Sequence, residues 1–196
     1  MIESWLFVFA ILAVLLIPGP SNAFLANAAH HQGVLKSLKL IPIEIFGYIY
    51  GISLWALIIH LSMPTWPMLI HILHFVSAVY AVWLAFHLWK SAHLEKHRQT
   101  YPNLKPRQLF FSIFKNPKTI LFTAGIFPAE TWNSFESYFS VFGIFILCLI
   151  PAALFWIYFG RALLAGELRG INANHLYKGS AMLLMLCMLP VVAEFF

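Results

Sequence analysis

The sequence contains no aspartate, and Asp, Glu, Lys and Arg together make up only 10% of its 196 residues, where a soluble domain carries about 25% charge. That scarcity excludes a solvated globular surface. Only two cysteines are present, Cys148 and Cys187, each inside an apolar stretch and without C-x-x-C spacing, so neither a disulfide framework nor a thiolate metal site is indicated. The H-E-x-x-H and G-x-S-x-G signatures are missing too, which argues against a metalloprotease or a serine hydrolase. A net charge of +5 raises the question of nucleic acid. The basic residues, however, are confined to segments flanking apolar runs, where membrane topology accounts for them.

What the sequence has in abundance is apolar length: 61% of the chain is hydrophobic and 17% aromatic. Long continuous runs point to membrane helices, not to a barrel built from short alternating segments. Six runs stand out, over about 5–28, 40–61, 68–89, 109–129, 138–160 and 179–196. A helix of about twenty residues spans about 30 Å, the thickness of the hydrocarbon core. The expectation is a single all-α integral membrane domain over 1–196 with six spans. It divides into one half over about 1–89, a polar cytoplasmic loop over about 90–108 and a second half over about 109–196.

The positive charges follow the same count. All twelve Lys and Arg fall after the first run, between the third and fourth, or between the fifth and sixth, counting Lys115 and Lys118 with the second group. These are alternate loops, so the positive-inside rule places both termini on the periplasmic side of a bacterial inner membrane. The first run is expected to be a membrane helix and not a signal peptide, because the residues before it carry only Glu3 and its basic flank, Lys36 and Lys39, lies after it. Three spans per half invert the second half relative to the first.

Two of the runs are interrupted. Pro18-Gly19-Pro20-Ser21-Asn22 breaks the first, and Asn116-Pro117-Lys118 breaks the fourth. Proline supplies no N–H, so Pro18 and Pro20 free the carbonyls of Val14 and Leu16, and Pro117 frees that of Ile113. In hydrocarbon such groups persist only where protein or a watery cavity satisfies them. Each break opens its half, and interrupted helices at corresponding positions of inverted halves point to a substrate site. Both breaks come out roughly 10 to 12 Å from the cytoplasmic face, so both can face one cavity. The bland alternative for either break is a kink that shapes packing.

At these residues the chain resembles the LysE/RhtB amino-acid exporters. The resemblance rests on Pro18, Gly19, Pro20 and Asn22 in the first run, on Ala78, Tyr80 and Leu84 in the third, and on Asn116, Pro117, Lys118, Leu121, Phe122, Phe127 and Pro128 in the fourth. It runs in order over nearly the whole chain. Ser37, Pro42 and Phe46 depart from the family pattern, where small residues are expected. The resemblance implies export of amino acids or their derivatives across the inner membrane, driven by the proton gradient. Protons, an amino-acid-like substrate and the lipid bilayer are then the partners, and no cofactor, metal or nucleic acid is called for.

A zwitterionic amino acid needs acceptors for its ammonium and donors for its carboxylate. The half-helix opening at Ser21 and Asn22 offers free N–H groups and a positive dipole end, and the freed carbonyls offer acceptors. Apart from Glu194 at the end of the sixth run, Glu44 is the sole acidic residue within an expected span, and it suits the ammonium or the coupled proton, or else reaches interfacial water. Lys118 suits the carboxylate, or else is a snorkelling anchor. Asn22 and Asn116 suit a polar contact or cap their own breaks. The candidate binding residues are thus Pro18, Gly19, Pro20, Ser21, Asn22, Glu44, Asn116, Pro117 and Lys118.

Three further patterns carry less. The histidine pairs His30-His31, His71 with His74, and His93 with His97 fall near run ends and have no thiol neighbour, so interfacial residues are the simpler reading. His60 and His87 lie deeper, where a histidine can relay protons. Gly47 and Gly51 form a G-x-x-x-G pair, which serves packing within the chain or, as the second choice, a homodimer.

Overall fold

A computed structural model describes residues 4–62 and 105–165, together with Met68, Ile72, Phe75 and Val79. Every regular element among the described residues is helical. The rest of the third apolar run, the sixth run, the histidines at 71, 74, 87, 93 and 97, Cys187 and the motif positions Ala78, Tyr80 and Leu84 lie outside the described residues.

The first run is two helices, α1 over Ser4–Leu16 and α2 over Pro20–Gln32, bent against each other by 58°. Gly19 stands before α2 in extended conformation with Pro20 in the first helical position, where its fixed φ suits a helix start and its missing N–H costs nothing. Helix α2 ends at Gly33, whose φ of 85° lies in the region that favours glycine. A short helix, α3 over Val34–Ser37, then leads into α4 over Leu40–Ser62.

The fourth run begins earlier than its apolar pattern suggests, with α5 over Pro106–Phe114. Pro106 starts that helix and the Gln108 side chain accepts from the Lys105 N–H at 3.0 Å, so Pro106 and Arg107 belong to the helix and not to the loop. The chain breaks at Lys115-Asn116 and resumes as α6 over Pro117–Leu121. It then widens into a π-helical turn over Phe122–Ile126 and tightens into a 3₁₀ turn over Ala129–Trp132. Helix α7 runs over Phe135–Ala165, longer at both ends than the expected fifth run. Pro151 sits inside it with its ring exposed, so the missing backbone bond is on the outer surface.

Among the described residues, two helical stretches, Val34–Ser62 and Phe135–Ala162, are long and apolar enough to cross a membrane, and the bent pair α1–α2 qualifies when taken as one span. Helix α2 packs closely on α7: Gly160 lies so near Ala26 that a side chain on the glycine would overlap it. Gly47 and Gly51 do the same for α4 against the broken fourth run. A Cβ at Gly47 would stand 2.9 Å from Ile113 Cδ1, and one at Gly51 would stand 2.9 Å from Thr119 Cγ2. The G-x-x-x-G pair therefore packs within the chain. The core between these helices is aromatic. Tyr48 packs edge-on against Phe122 and Phe145, with centroids 5.9 and 5.6 Å apart, and Phe122 meets Phe145 at 5.1 Å.

Candidate functional site

The first break is closed by a side chain. Asn22 is buried in the first turn of α2 and points its amide back at the end of α1, donating to the carbonyls of Leu15 at 2.8 Å and Ile17 at 2.7 Å. The carbonyls gathered by a side chain are those of Leu15 and Ile17, not the pair expected from proline spacing alone. The bend at Pro18-Gly19 turns these two toward α2, and α2 supplies the donor that the helix lost.

The second break is closed by the same chemistry in two places. Asn116 caps α6, its Oδ1 accepting from the Lys118 N–H at 3.1 Å. The Ile113 carbonyl, deprived of its helical donor by Pro117, accepts from the Asn116 N–H at 3.0 Å and from the Thr119 hydroxyl at 2.6 Å. One turn on, Thr123 donates to the Thr119 carbonyl at 2.8 Å, and the Phe127 N–H reaches the Phe122 carbonyl at 2.8 Å. That i+5 bond defines a π turn, a distortion found mostly at functional places in helices.

The two breaks meet. Lys118 extends from the second into the first, and its ammonium donates to the Ile17 carbonyl. Its side chain lies over Gly19, where a Cβ would stand 3.0 Å from Cε and 3.1 Å from Nζ. Only the absence of a side chain at Gly19 lets the amine approach the backbone so closely. Lys118 is 2% exposed, so it is no snorkelling anchor.

Glu44 is 1% exposed, which sets aside the interfacial reading for it as well. It lies on α4 within electrostatic range of Lys118 and beside Ser21. Tyr48, one turn further along α4, places its hydroxyl 3.3 Å from Ser21 Oγ. Tyr48, Ser21 and Glu44 thus form a buried polar group at the start of α2. Two atoms in this region have no hydrogen-bond partner among the described residues: Glu44 Oε2, an acceptor, and Asn116 Nδ2, a donor. Buried groups of this kind call for an explanation, because leaving one unpaired costs about 1–3 kcal/mol, more for a charged group.

Of the expected residues, Gly19, Ser21, Glu44 and Lys118 converge, with Asn22 and Asn116 holding the two breaks in shape. Pro18 and Pro117 act through the backbone they distort, and Pro20 is exposed at the helix start. Tyr48, Thr119 and Thr123 belong to the same buried set, and the sequence reading passed over them. Their signals were the i, i+4 spacing of Glu44 with Tyr48 and of Thr119 with Thr123, which places each pair on one helix face. Tyr48 also joins the polar group to the aromatic cluster, hydroxyl to one and ring to the other.

Interrupted membrane helices that enclose buried ionisable groups are the architecture of transporters, in which such groups mark the path of substrate or ion. The family model for the LysE type translocator matches residues 12–195, and the chain belongs to that family of membrane proteins. It is similar to a leucine efflux protein of Enterobacter sp. (strain 638), 27% identical over 133 residues. That match covers 64% of this chain and 62% of the relative, so the chain spans less than two thirds of that protein's length. No solved structure matches the chain.

Proposed function

We propose that this protein exports amino acids or amino-acid derivatives across the bacterial inner membrane, coupled to the proton gradient. Its site is formed by Pro18, Gly19, Pro20, Ser21, Asn22, Glu44, Asn116, Pro117 and Lys118. The observation that carries the reading is the pair of orphaned buried atoms, one acceptor on Glu44 and one donor on Asn116. They match the two ends of a zwitterion. The ammonium goes to Glu44 and to the carbonyl end of α1, where the helix dipole is negative. The carboxylate goes to Asn116, Lys118 and the positive start of α2. The aromatic cluster around Tyr48, Phe122 and Phe145 suits an apolar side chain, and the similarity to a leucine efflux protein supports that choice.

The wider frame of the proposal is six spans in two inverted halves, with the broken helix first in each and both termini periplasmic. Its support is the confinement of basic residues to alternate loops and the meeting of the two breaks at Lys118 and Ile17. Efflux and counterflow of labelled amino acids in proteoliposomes test the function. Pro18→Ala with Pro20→Ala restores backbone donors and abolishes efflux if the break is the site. Glu44→Gln keeps size and hydrogen-bonding capacity while removing the charge. If Glu44 carries the coupled proton, this variant loses proton-driven transport and keeps exchange; if it binds the ammonium, it loses both. Wild-type rates in all of these variants would reject the site.

A further inference from the structure

The chemistry at the first break already includes a primary ammonium group, and it belongs to the protein. Lys118 Nζ donates to the Ile17 carbonyl, the face of the site that carries the acceptors, and the buried Glu44 belongs to the same region. These are the groups that an amino-acid ammonium needs. We infer that the Lys118 amine is a tethered surrogate for the ammonium of the substrate, which displaces it on binding. The inference rests on the site described under the proposed function and adds to it an order of events.

Three observations support displacement over simple co-occupancy. First, Lys118 and Glu44 are both buried and Lys118 lies directly over Gly19, so an incoming ammonium reaches the Ile17 carbonyl only by moving the lysine amine. Second, release leaves that carbonyl satisfied. A carbonyl oxygen has two lone pairs, and here Asn22 Nδ2 occupies one at 2.7 Å while Lys118 occupies the other. Third, the surrogate serves its acceptors incompletely, because Glu44 Oε2 still has no partner among the described residues. A free ammonium, not anchored to α6, can adjust to reach both the carbonyl and Oε2. That difference in contacts is what a ligand needs in order to shift an equilibrium toward the open arrangement. The released Lys118 then faces the substrate carboxylate.

The surrogate competes with any primary ammonium ligand, including one without a carboxylate. Butylammonium is therefore the probe, and its Kd is measured with the full-length protein purified in detergent. Removing the competitor with Lys118→Met, which keeps the unbranched shape but cannot donate, tightens butylammonium binding on the order of tenfold. Gly19→Ala keeps every charge and crowds Cε and Nζ off the backbone, so it tightens the same ligand by roughly threefold. If Lys118 served only to bind the carboxylate, neither variant would change the butylammonium Kd. If it were only a structural strut, both variants would weaken binding. Either result, in whichever variant elutes as a folded monodisperse protein, overturns the inference. Glu44→Gln separates this from failure of the site itself. If it weakens both butylammonium and amino-acid binding while the other two variants leave butylammonium unchanged, the site stands and the displacement does not. If it leaves both ligands unaffected, the site assignment falls and the displacement with it.

Discussion

Gly51 of α4 and Thr119 of α6 approach so closely that a Cβ on the glycine would lie 2.9 Å from Thr119 Cγ2. The same threonine holds the second break, since its hydroxyl supplies the freed Ile113 carbonyl at 2.6 Å. A small residue on one helix thus determines whether a hydroxyl on another can satisfy a backbone group that proline has exposed. Gly51→Ala is expected to push Thr119 out of position and destabilise the protein by about 1–3 kcal/mol, a typical overpacking cost. Gly47→Ala meets instead the mobile end of Ile113 and is expected to cost less than about 1 kcal/mol. Thermal unfolding of both variants in one detergent measures the contrast, and equal losses would contradict it.

Asn22 is the donor that replaces the helical bonds lost at Pro18-Gly19. Asn22→Ala leaves the Leu15 carbonyl without its side-chain donor, while Ile17 keeps Lys118. One orphaned buried carbonyl predicts a loss of about 1–3 kcal/mol, read as a lowered Tm. Efflux is expected to fall with it, because the carbonyl end of α1 is then no longer held in place. An unchanged Tm would show that the bend is held by other contacts.

Tyr48 separates packing from chemistry. Tyr48→Phe retains the ring contacts to Phe122 and Phe145 and removes only the hydroxyl beside Ser21. Stability is expected to change by no more than about 1 kcal/mol. Efflux is expected to fall on the order of tenfold, the equivalent of one hydrogen bond in a charged network. Proteoliposome efflux at matched protein levels measures this, and a full wild-type rate would remove the hydroxyl from the site.

The orientation is testable without purification. A periplasm-active reporter fused after Phe196 is expected to be active, and one inserted near Gln99 is expected to be active only if it reports the cytoplasm. A cytoplasmic C-terminus would eliminate the inverted six-span arrangement.

Much of the local structure was legible in the sequence, because proline and glycine act on the backbone wherever the chain goes. The ends of α1 and α5 and the starts of α2 and α6 fall at Pro18, Pro20 and Pro117 for the reason that proline cannot donate. The cap at Asn116 follows from the same local rules. Boundaries were less legible. Helix α5 takes in Pro106 and Arg107, and α7 extends past both ends of its apolar run, since a helix can continue into polar residues that apolar counting assigns to loops.

By itself, the sequence determined that the chain is a helical membrane protein, where two of its helices must break, and that few charges are available to work inside it. Those are consequences of composition and of single residues acting on their own backbone. Which groups meet was decided only by the tertiary structure. The sequence allowed Glu44 and Lys118 to reach interfacial water, and allowed Gly47 and Gly51 to face a second copy. The packing of α4 against the broken fourth run buries the first two and uses the second two within the chain. Reach across 101 positions, from Lys118 to the Ile17 carbonyl, depends on which helix faces stand opposite each other, and no local pattern encodes that.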